Sequence, residues 1–175
     1  MSKGKVIVGV VVLLAVAYVA AAPYITVYQM KTAAENRDGE ALSEHIEFPS
    51  LRQSLKDQMN TMFMKKMAKE AEDNPFAVLG TAFAGVMIDK MVDAYVTPAG
   101  ITELMRGKKP DTKSGGEGSS GSSSQEPFSN ASMSYKSLSK FVITVKDDSG
   151  EEGKFVLRRR GIGWKLTEII LPLER

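Results

Sequence analysis

The feature that most constrains this chain is a long apolar run without charge near its N-terminus. Lys3 and Lys5 precede the run, which starts at Val6, and no charged residue follows until Lys31. A helix over residues 6–27 would be about 33 Å long at about 1.5 Å per residue, close to the thickness of a bilayer's hydrocarbon core. We therefore predict a transmembrane helix that anchors the protein in a lipid bilayer. The residues predicted to form this anchor include Val6, Val12, Leu14, Val19 and Val27.

The residues that flank the run predict its orientation. The two lysines lie at the N-terminal end, and flanking positive charge favours the cytoplasmic side of a membrane. Tyr18, Tyr24 and Tyr28 crowd the other end, where amphipathic rings favour the membrane interface. The sequence thus predicts a single-pass protein of the inner (cytoplasmic) membrane, with its N-terminus in the cytoplasm and its soluble domain in the periplasm.

A cleaved signal peptide is the alternative interpretation of the same run. Residues 20–22 are three alanines, which resemble a small-residue cleavage site. A cut after Ala22 would leave Pro23 as the first residue, which disfavours cleavage there, whereas a cut after Ala21 stays open. The run is also longer than the apolar core of about 7–15 residues that signal peptides carry. We therefore predict that the anchor is retained.

Composition excludes several classes of chemistry. The 175 residues leave about 120 for one folded domain once the anchor and a linker are set aside. A formal net charge of +2 gives no strong field that would attract nucleic acid. The absence of cysteine excludes disulfides, thiolate zinc sites and a cysteine nucleophile. No metalloprotease, serine-hydrolase or phosphate-loop motif occurs in a suitable context, so we predict no enzyme, no cofactor and no metal site.

The remaining sequence divides into a helical part, a linker and a sheet. Helical spacing and capping residues dominate before residue 106, a Gly/Ser-rich stretch follows, and alternating apolar residues indicate strands near the C-terminus. We predict an α+β fold in which helices pack on a C-terminal antiparallel β-meander. The predicted parts are a cytoplasmic stub (1–5), the anchor (6–27), the helical part (28–106), a flexible linker (107–127) and the sheet part (128–175).

The helix bounds follow from caps and breakers. The first helix is predicted to continue from the membrane into the soluble domain, to bend near Pro23 and to end at Asp38 and Gly39, with the glycine as a left-handed cap. Ser50 and Gln53 form a capping-box pattern that predicts a helix start after a break at Pro49. The other predicted helices are a short one over Glu40–His45, a long one over Phe76–Val96, and one that Thr97 caps and that ends near Arg106.

The predicted helix over residues 76–96 is the most apolar soluble segment. We interpret it as a central core helix, and the alternative is a segment that lies on the membrane surface or lines an apolar cavity. Under the second interpretation, an apolar ligand would bind between this helix and the sheet. The candidate pocket-lining residues are Phe76, Leu79, Phe83, Met87 and Trp164.

Four strands with short turns predict the antiparallel meander. Trp164, Leu166 and Ile170 are predicted to face inward from the last strand. Three or four strands need a cover for their apolar face, and the preceding helices are the candidates. The predicted strands are Ala131–Tyr135, Lys140–Lys146, Lys154–Arg160 and Trp164–Leu171.

Only a few polar residues are candidates for a binding or catalytic site. Arg158 and Arg160 share one strand face, which we interpret as an edge or solvent face whose positive charge discourages unwanted strand pairing; the alternative is contact with an anionic partner such as lipid headgroups. The single histidine, His45, lies between Glu44 and Glu47 and is interpreted as a surface residue at a helix end.

Several short stretches together resemble a known family. They are PYITVY (23–28), AAENRD (33–38), ALSE (41–44), FPSLR (48–52), TPAG (97–100) and RRGIGWKL (159–166). As a set they resemble the bacterial family called domain of unknown function 2939. The resemblance implies a small membrane-anchored bacterial protein without an assigned activity, so no catalytic residues carry over. The helix pair and the closing hairpin are also similar to cystatin-like and nuclear-transport-factor-two-like cones, which is an analogy of fold alone.

Three classes of function remain open at the level of sequence. We expect a non-enzymatic interaction module with an envelope protein as partner and no binding of nucleic acid. The alternative is a carrier or sensor that binds an apolar ligand or lipid between the sheet and the helix over residues 76–96. An enzyme is the third class.

Overall fold

The structure is a computed structural model that describes residues 3–70, 77–105, 131–146 and 150–172. Within these ranges a long apolar helix and further helices precede an antiparallel sheet, which confirms the predicted α+β class. The helices are α1 (Lys3–Glu35), α2 (Gly39–Glu44), α3 (Phe48–Glu70), α4 (Ala77–Tyr95) and α5 (Pro98–Met105). The strands are β1 (Ala131–Ser137), β2 (Lys140–Lys146), β3 (Glu152–Arg160) and β4 (Gly163–Ile170).

The sheet is a meander in which each strand pairs antiparallel with the next, in the order β1-β2-β3-β4. Phe141 lies opposite Leu157, and both side chains are fully buried on the face that the helices cover. An irregularity between Val156 and Leu157 shifts the register against β4. Because of this shift Ile169 packs against the core, whereas Ile170 is 36% exposed, so the inward orientation predicted for Ile170 is wrong.

Helix α1 has two halves with different surroundings. Its apolar residues before Ala20 are exposed, and the helix is long and apolar enough to cross a membrane by length and composition. Its C-terminal half packs on β4, where Val27, Met30 and Ala33 are buried. Pro23 lies inside the helix without ending it. One continuous helix therefore supplies both the candidate membrane span and part of the domain core.

The end of α1 differs from the prediction. Arg37, not a glycine, takes the left-handed conformation with φ of 54°, and the amides of Arg37 and Asp38 donate back to Ala34 and Ala33 at 3.1 and 2.8 Å. This pair of bonds is a Schellman motif. Asp38 instead caps α2, because its Oδ1 accepts from the amide of Ala41 at 3.0 Å. The predicted role of Gly39 as a left-handed cap is therefore wrong.

Gly39 has a packing role instead. It is the buried first residue of α2, and α2 packs against α5. A Cβ atom at Gly39 would lie only 2.5 Å from the Cα atom of Thr102 in α5. Only glycine allows the two helices to approach this closely, so this residue fixes the position of α5 over the sheet.

Helix α3 begins three residues earlier than predicted, at Phe48 rather than at Leu51 after a cap at Ser50. The amide of Leu51 donates to the carbonyl of Glu47 at 3.0 Å, so Phe48 is already helical. Pro49 lies in the first turn, where its missing N–H is not needed because the first helical amides have no partner within the helix. The hydroxyl of Ser50 binds Glu47 Oε2 at 2.7 Å, so the predicted cap at Ser50 is wrong.

The chain between α2 and α3 pairs with the edge of the sheet. The amide of Leu166 donates to the carbonyl of His45 at 2.8 Å, and the amide of Glu47 donates to the carbonyl of Leu166 at 2.9 Å. Ile46, between them, is buried in the core and forms a parallel bridge with Leu166. This segment covers part of the β4 edge, which would otherwise be free to pair with another chain.

Helix α4 forms an outer layer. It packs against α3, which in turn packs against β4, and Lys56 joins the two helices through an ion pair of 2.7 Å with Asp93. Only Val92 is fully buried among the α4 side chains that the structure describes, whereas Phe83 is 79% exposed and Met87 is also exposed. The prediction of a central core helix over residues 76–96 is therefore wrong.

Helix α5 starts as predicted. Its cap is Thr97, whose Oγ1 accepts from the amide of Gly100 at 3.0 Å. The helix is described as far as Met105. The linker predicted for residues 107–127 lies outside the described residues.

Candidate functional site

The candidate site is an apolar cavity of about 370 Å³ between the helices and the sheet, here called the α5 cavity. The C-terminal half of α1, the α2–α3 region, α5 and the core face of the sheet form its walls. Its size falls within the range of about 300–1,000 Å³ that is typical of small-molecule sites. All of its lining residues are apolar: Met30, Ala34, Leu42, Ile46, Leu51, Ile101, Leu104, Met105, Phe155, Leu166 and Ile169.

The sequence of α5 explains how it contributes to this cavity. Ile101, Leu104 and Met105 follow the spacing of three and four residues that puts side chains on one helix face. Leu104 is 48% exposed although it lines the cavity, which places it at the rim. The close approach at Gly39 holds this face of α5 beside α2, and hence over the sheet.

The structure does not bring the predicted pocket residues together. Phe83 and Met87 lie on the exposed side of α4, whereas Trp164 is buried on the sheet. Phe76 and the side chain of Leu79 lie outside the described residues. The predicted pocket between α4 and the sheet is corrected to one beside α5, because α3 lies against β4 and carries α4 on it.

Trp164 belongs instead to an aromatic cluster that joins α1 to the sheet. Phe141 lies at its centre, with edge-on contacts to Tyr24 and Tyr135 at ring-centroid distances of 4.8 and 5.0 Å. The Tyr135 hydroxyl donates to the carbonyl of Ala20 at 2.8 Å. Edge-to-face aromatic pairs stabilise beyond their buried area, typically by about 0.5–1.5 kcal/mol each. The cluster therefore fixes the sheet against the part of α1 where the apolar run ends.

The two arginines that are candidates for contact with an anionic partner bind carboxylates of this chain. Arg160 forms a two-pronged pair with Glu47, with Nε and Nη2 each 2.6 Å from a carboxylate oxygen. Arg158 binds Glu168 with 2.9 Å between Nη2 and Oε1. Their charge is therefore largely compensated within the domain.

His45 lies on a second, more polar crevice of about 490 Å³ between α1 and the β3–β4 hairpin. Burial lowers its pKa, and the positive charge of Lys165 lowers it further. Lys165 Nζ donates to the carbonyl of Glu44 at the end of α2. Among the described residues, no group of three histidine or acidic side chains is placed to hold a metal ion.

Stability is expected to fall with acid because of the Glu47–Arg160 pair. The hydrogen bonds from Arg160 are the main cause that lowers the pKa of Glu47 in the fold. The unfolded chain therefore binds the proton more readily, so the stabilisation is complete above the ordinary glutamate pKa of about 4.3 and is lost as pH falls through the lowered value. His45 acts in the same direction below about pH 6.5, because its folded pKa is also lowered.

The measurement is the thermal unfolding midpoint of the full chain as a function of pH. Glu47→Gln should flatten the part of the curve below about pH 4.3, and His45→Gln the part just below about pH 6.5. If the unfolding midpoint of Glu47→Gln falls in acid as steeply as that of the unchanged protein, the loss of stability does not come from the Glu47–Arg160 pair.

Comparisons with known proteins add one finding. The family model described as "Protein of unknown function (DUF2939)" matches residues 12–104, more than half of the chain. This region extends from α1 into α5 and confirms the resemblance stated from the motifs there; the sheet lies outside it. The comparisons with curated proteins and with solved structures find no match. The analogy with cystatin-like cones stays a prediction.

Proposed function

The chain belongs to this family of unknown function, and we propose that it is a membrane-anchored, non-enzymatic module that binds an apolar ligand in the α5 cavity. The observation that carries the proposal is the wholly apolar lining of that cavity. A cavity without polar partners for water favours a hydrocarbon occupant, because buried water needs two to four hydrogen-bond partners.

The proposed anchor is the uncleaved N-terminal half of α1. Cleavage near Ala22 would cut an unbroken helix beside the buried Pro23. It would also remove the Ala20 carbonyl that binds Tyr135. The flanking Lys3 and Lys5 favour a cytoplasmic N-terminus. We propose accordingly that the domain lies in the periplasm, at the surface of the inner membrane.

The chemistry of the cavity also indicates the class of ligand. A lining without charge or hydrogen-bonding side chains gives no specificity for a headgroup, so the buried part of the ligand is a hydrocarbon chain. The rim at Leu104 gives the polar end of such a ligand access to solvent. An acyl chain from the neighbouring membrane fits this description, and the domain would act as a lipid carrier or sensor.

A photoactivatable fatty acid tests the proposal. The full-length protein in lipid nanodiscs is irradiated with a fatty acid that carries a diazirine in its chain, and the cross-linked residues are mapped by mass spectrometry. We expect cross-links at cavity residues such as Ile101, Met105 and Ile169. Ala34→Phe should remove them, because Ala34 lines the cavity and the larger ring fills it.

The matched control is the same substitution at an exposed helical position, Ala94→Phe on α4. It should leave the cavity cross-links unchanged. The buried Trp164, the only tryptophan, reports by its fluorescence whether each variant is folded. Cross-links confined to the N-terminal half of α1 in every variant would refute the ligand site.

A second candidate function is supported by the exposed side of α4. Phe83, Val86 and Met87 form an apolar face there, and Met64 of α3 is also exposed. Such a face is typical of a protein–protein contact, so an envelope protein is the proposed partner. A photo-crosslinking amino acid at position 83 should give one repeated adduct in cells of the native host, whereas the same group at Asp89 should not. An identical adduct pattern at both positions would contradict this role.

A further inference from the structure

Two exposed apolar side chains lie at one end of the sheet. Leu138, in the β1–β2 turn, is 89% exposed, and Ile162, in the β3–β4 turn, is 85% exposed. In an antiparallel meander the first and third turns fall at the same end, and the amide of Arg159 donates to the carbonyl of Ser139 at 3.0 Å between the two hairpins. We call Leu138 and Ile162 the hairpin tips.

The hairpin tips lie at the end of the sheet that is nearer to the N-terminal, exposed half of α1. Ile162 lines the crevice that Tyr18 and Ala22 also line. At the other end of β4, Ile169 lines the α5 cavity together with Ala34. Strand β4 therefore runs beside α1 in the same direction, and its start lies level with the last part of the apolar run.

The expected length of the membrane span places the start of β4 at a depth within the bilayer. A bilayer core of about 30 Å takes up about 20 helical residues, so a span that starts at Val6 reaches to about Ile25. The sheet already contacts α1 at Ala20, through the Tyr135 hydroxyl. On this placement of the span, the end of the sheet overlaps its outermost turns, and the hairpin tips would meet lipid.

The charges around the hairpin tips suit this position. Lys136 and Lys140 flank Leu138, and Arg159 and Lys165 flank Ile162. The two segments around the tips, residues 134–142 and 158–166, contain no acidic residue. The acidic residues beside them are Glu47, which pairs with Arg160, and Glu44, which lines the same crevice as Ile162. Apolar tips with basic flanks match the layering of a membrane surface, where hydrocarbon lies below and anionic headgroups lie above.

We propose that Leu138 and Ile162 insert into the bilayer interface beside α1 and dock the domain directly on the lipid surface. The proposal rests on the membrane anchoring proposed above. Docking in this way gives the domain a second contact with the bilayer beside α1.

Site-specific labelling tests the docking, because the chain has no cysteine of its own. Single-cysteine variants Leu138→Cys and Ile162→Cys of the full chain carry the fluorophore NBD and are reconstituted in vesicles of phosphatidylcholine and phosphatidylglycerol. Nitroxide groups on the lipids quench the fluorophore by contact. Glu151→Cys, just before β3 at the opposite end of the sheet, is the matched control, and Leu14→Cys marks the span.

Labels on the hairpin tips should emit at shorter wavelength and lose several-fold more intensity to nitroxide lipids than the label at position 151. The label at position 14 should be quenched most strongly by nitroxides placed deep in the acyl chains. Tip labels that behave like the label at 151 while position 14 is quenched would overturn the docking and leave the anchor intact. An unquenched label at position 14 would overturn both the anchor and the docking.

Discussion

Replacing Met30 by aspartate is expected to unfold the domain, whereas replacing Tyr28 by aspartate should leave it folded. Met30 is 4% exposed and belongs to the core cluster with Leu51 and Leu166, whereas Tyr28, on the same helix, is 70% exposed. Truncating a buried methionine alone costs about 2–5 kcal/mol, and burial of an unpaired carboxylate adds to this cost. The sum is comparable with the whole stability of an ordinary domain, about 5–15 kcal/mol.

The fluorescence of Trp164 in the membrane-bound full chain measures this difference. Met30→Asp should shift the emission to the wavelength of a solvent-exposed indole, and Tyr28→Asp should leave it unchanged. Since both variants carry the same new charge on α1, a difference between them isolates the effect of burial. A folded Met30→Asp protein would show that α1 is a stalk outside the domain core.

Replacing Gly39 by alanine is expected to lower the free energy of unfolding by about 1–3 kcal/mol, the usual cost of overpacking. The added methyl group would lie 2.5 Å from the Cα atom of Thr102, and backbone cannot move aside as a flexible side chain can. The matched control is Gly85→Ala in α4, where the nearest atom, Asn60 Oδ1, would be an ordinary 3.7 Å away. This control should be neutral or stabilising by up to about 1 kcal/mol, because alanine is the better helix former.

Denaturant unfolding followed by Trp164 fluorescence gives both values. Opposite signs for the two glycine variants are the expected result. Moreover, Gly39→Ala should weaken fatty-acid cross-linking at Met105, since α5 must move away from α2 to accept the methyl group. Equal stability of the two variants would contradict the close approach of these helices.

Local patterns predicted most of the secondary structure. Strand β2 has the predicted bounds, Lys140–Lys146, because alternation and its flanking turns are local signals. The start of α5 followed from Thr97 and Pro98 for the same reason. Where the pattern was ambiguous the bounds moved: α3 starts at Phe48, because proline is also compatible with a first helical turn.

These local patterns do not predict contacts between residues that are far apart in sequence. The partner of Arg160 is Glu47, which is 113 residues away in sequence, so nothing near the arginine indicated that it was paired. The apolar character of α4 predicted burial, but α3 already covers β4, and α4 remains on the outside. The irregularity opposite Leu157 turns Ile169 toward the core and Ile170 away from it, because a shift of one residue exchanges the two faces of a strand.

The candidate site also depends on contacts between distant segments, which the local patterns do not predict. The sequence offers an apolar pocket against the sheet only as an alternative to a core helix over residues 76–96, and the walls of the observed pocket include α5 and the end of α1. Gly39 was recognised only as a helix terminator, and its contact with Thr102 depends on how α2 and α5 meet. A glycine at the start of a helix, directly after a capping Asp38, is the one local signal that could have suggested close packing.

We propose that one uncleaved helix, α1, both spans the membrane and completes the core of the domain. The most direct test is the intact mass and N-terminal sequence of the protein extracted from the membrane fraction of its host. We expect a chain that retains Val6–Ala22 at its N-terminal end. A mature protein that begins at Ala22 or Pro23, or a full-length protein in the soluble fraction, would contradict it.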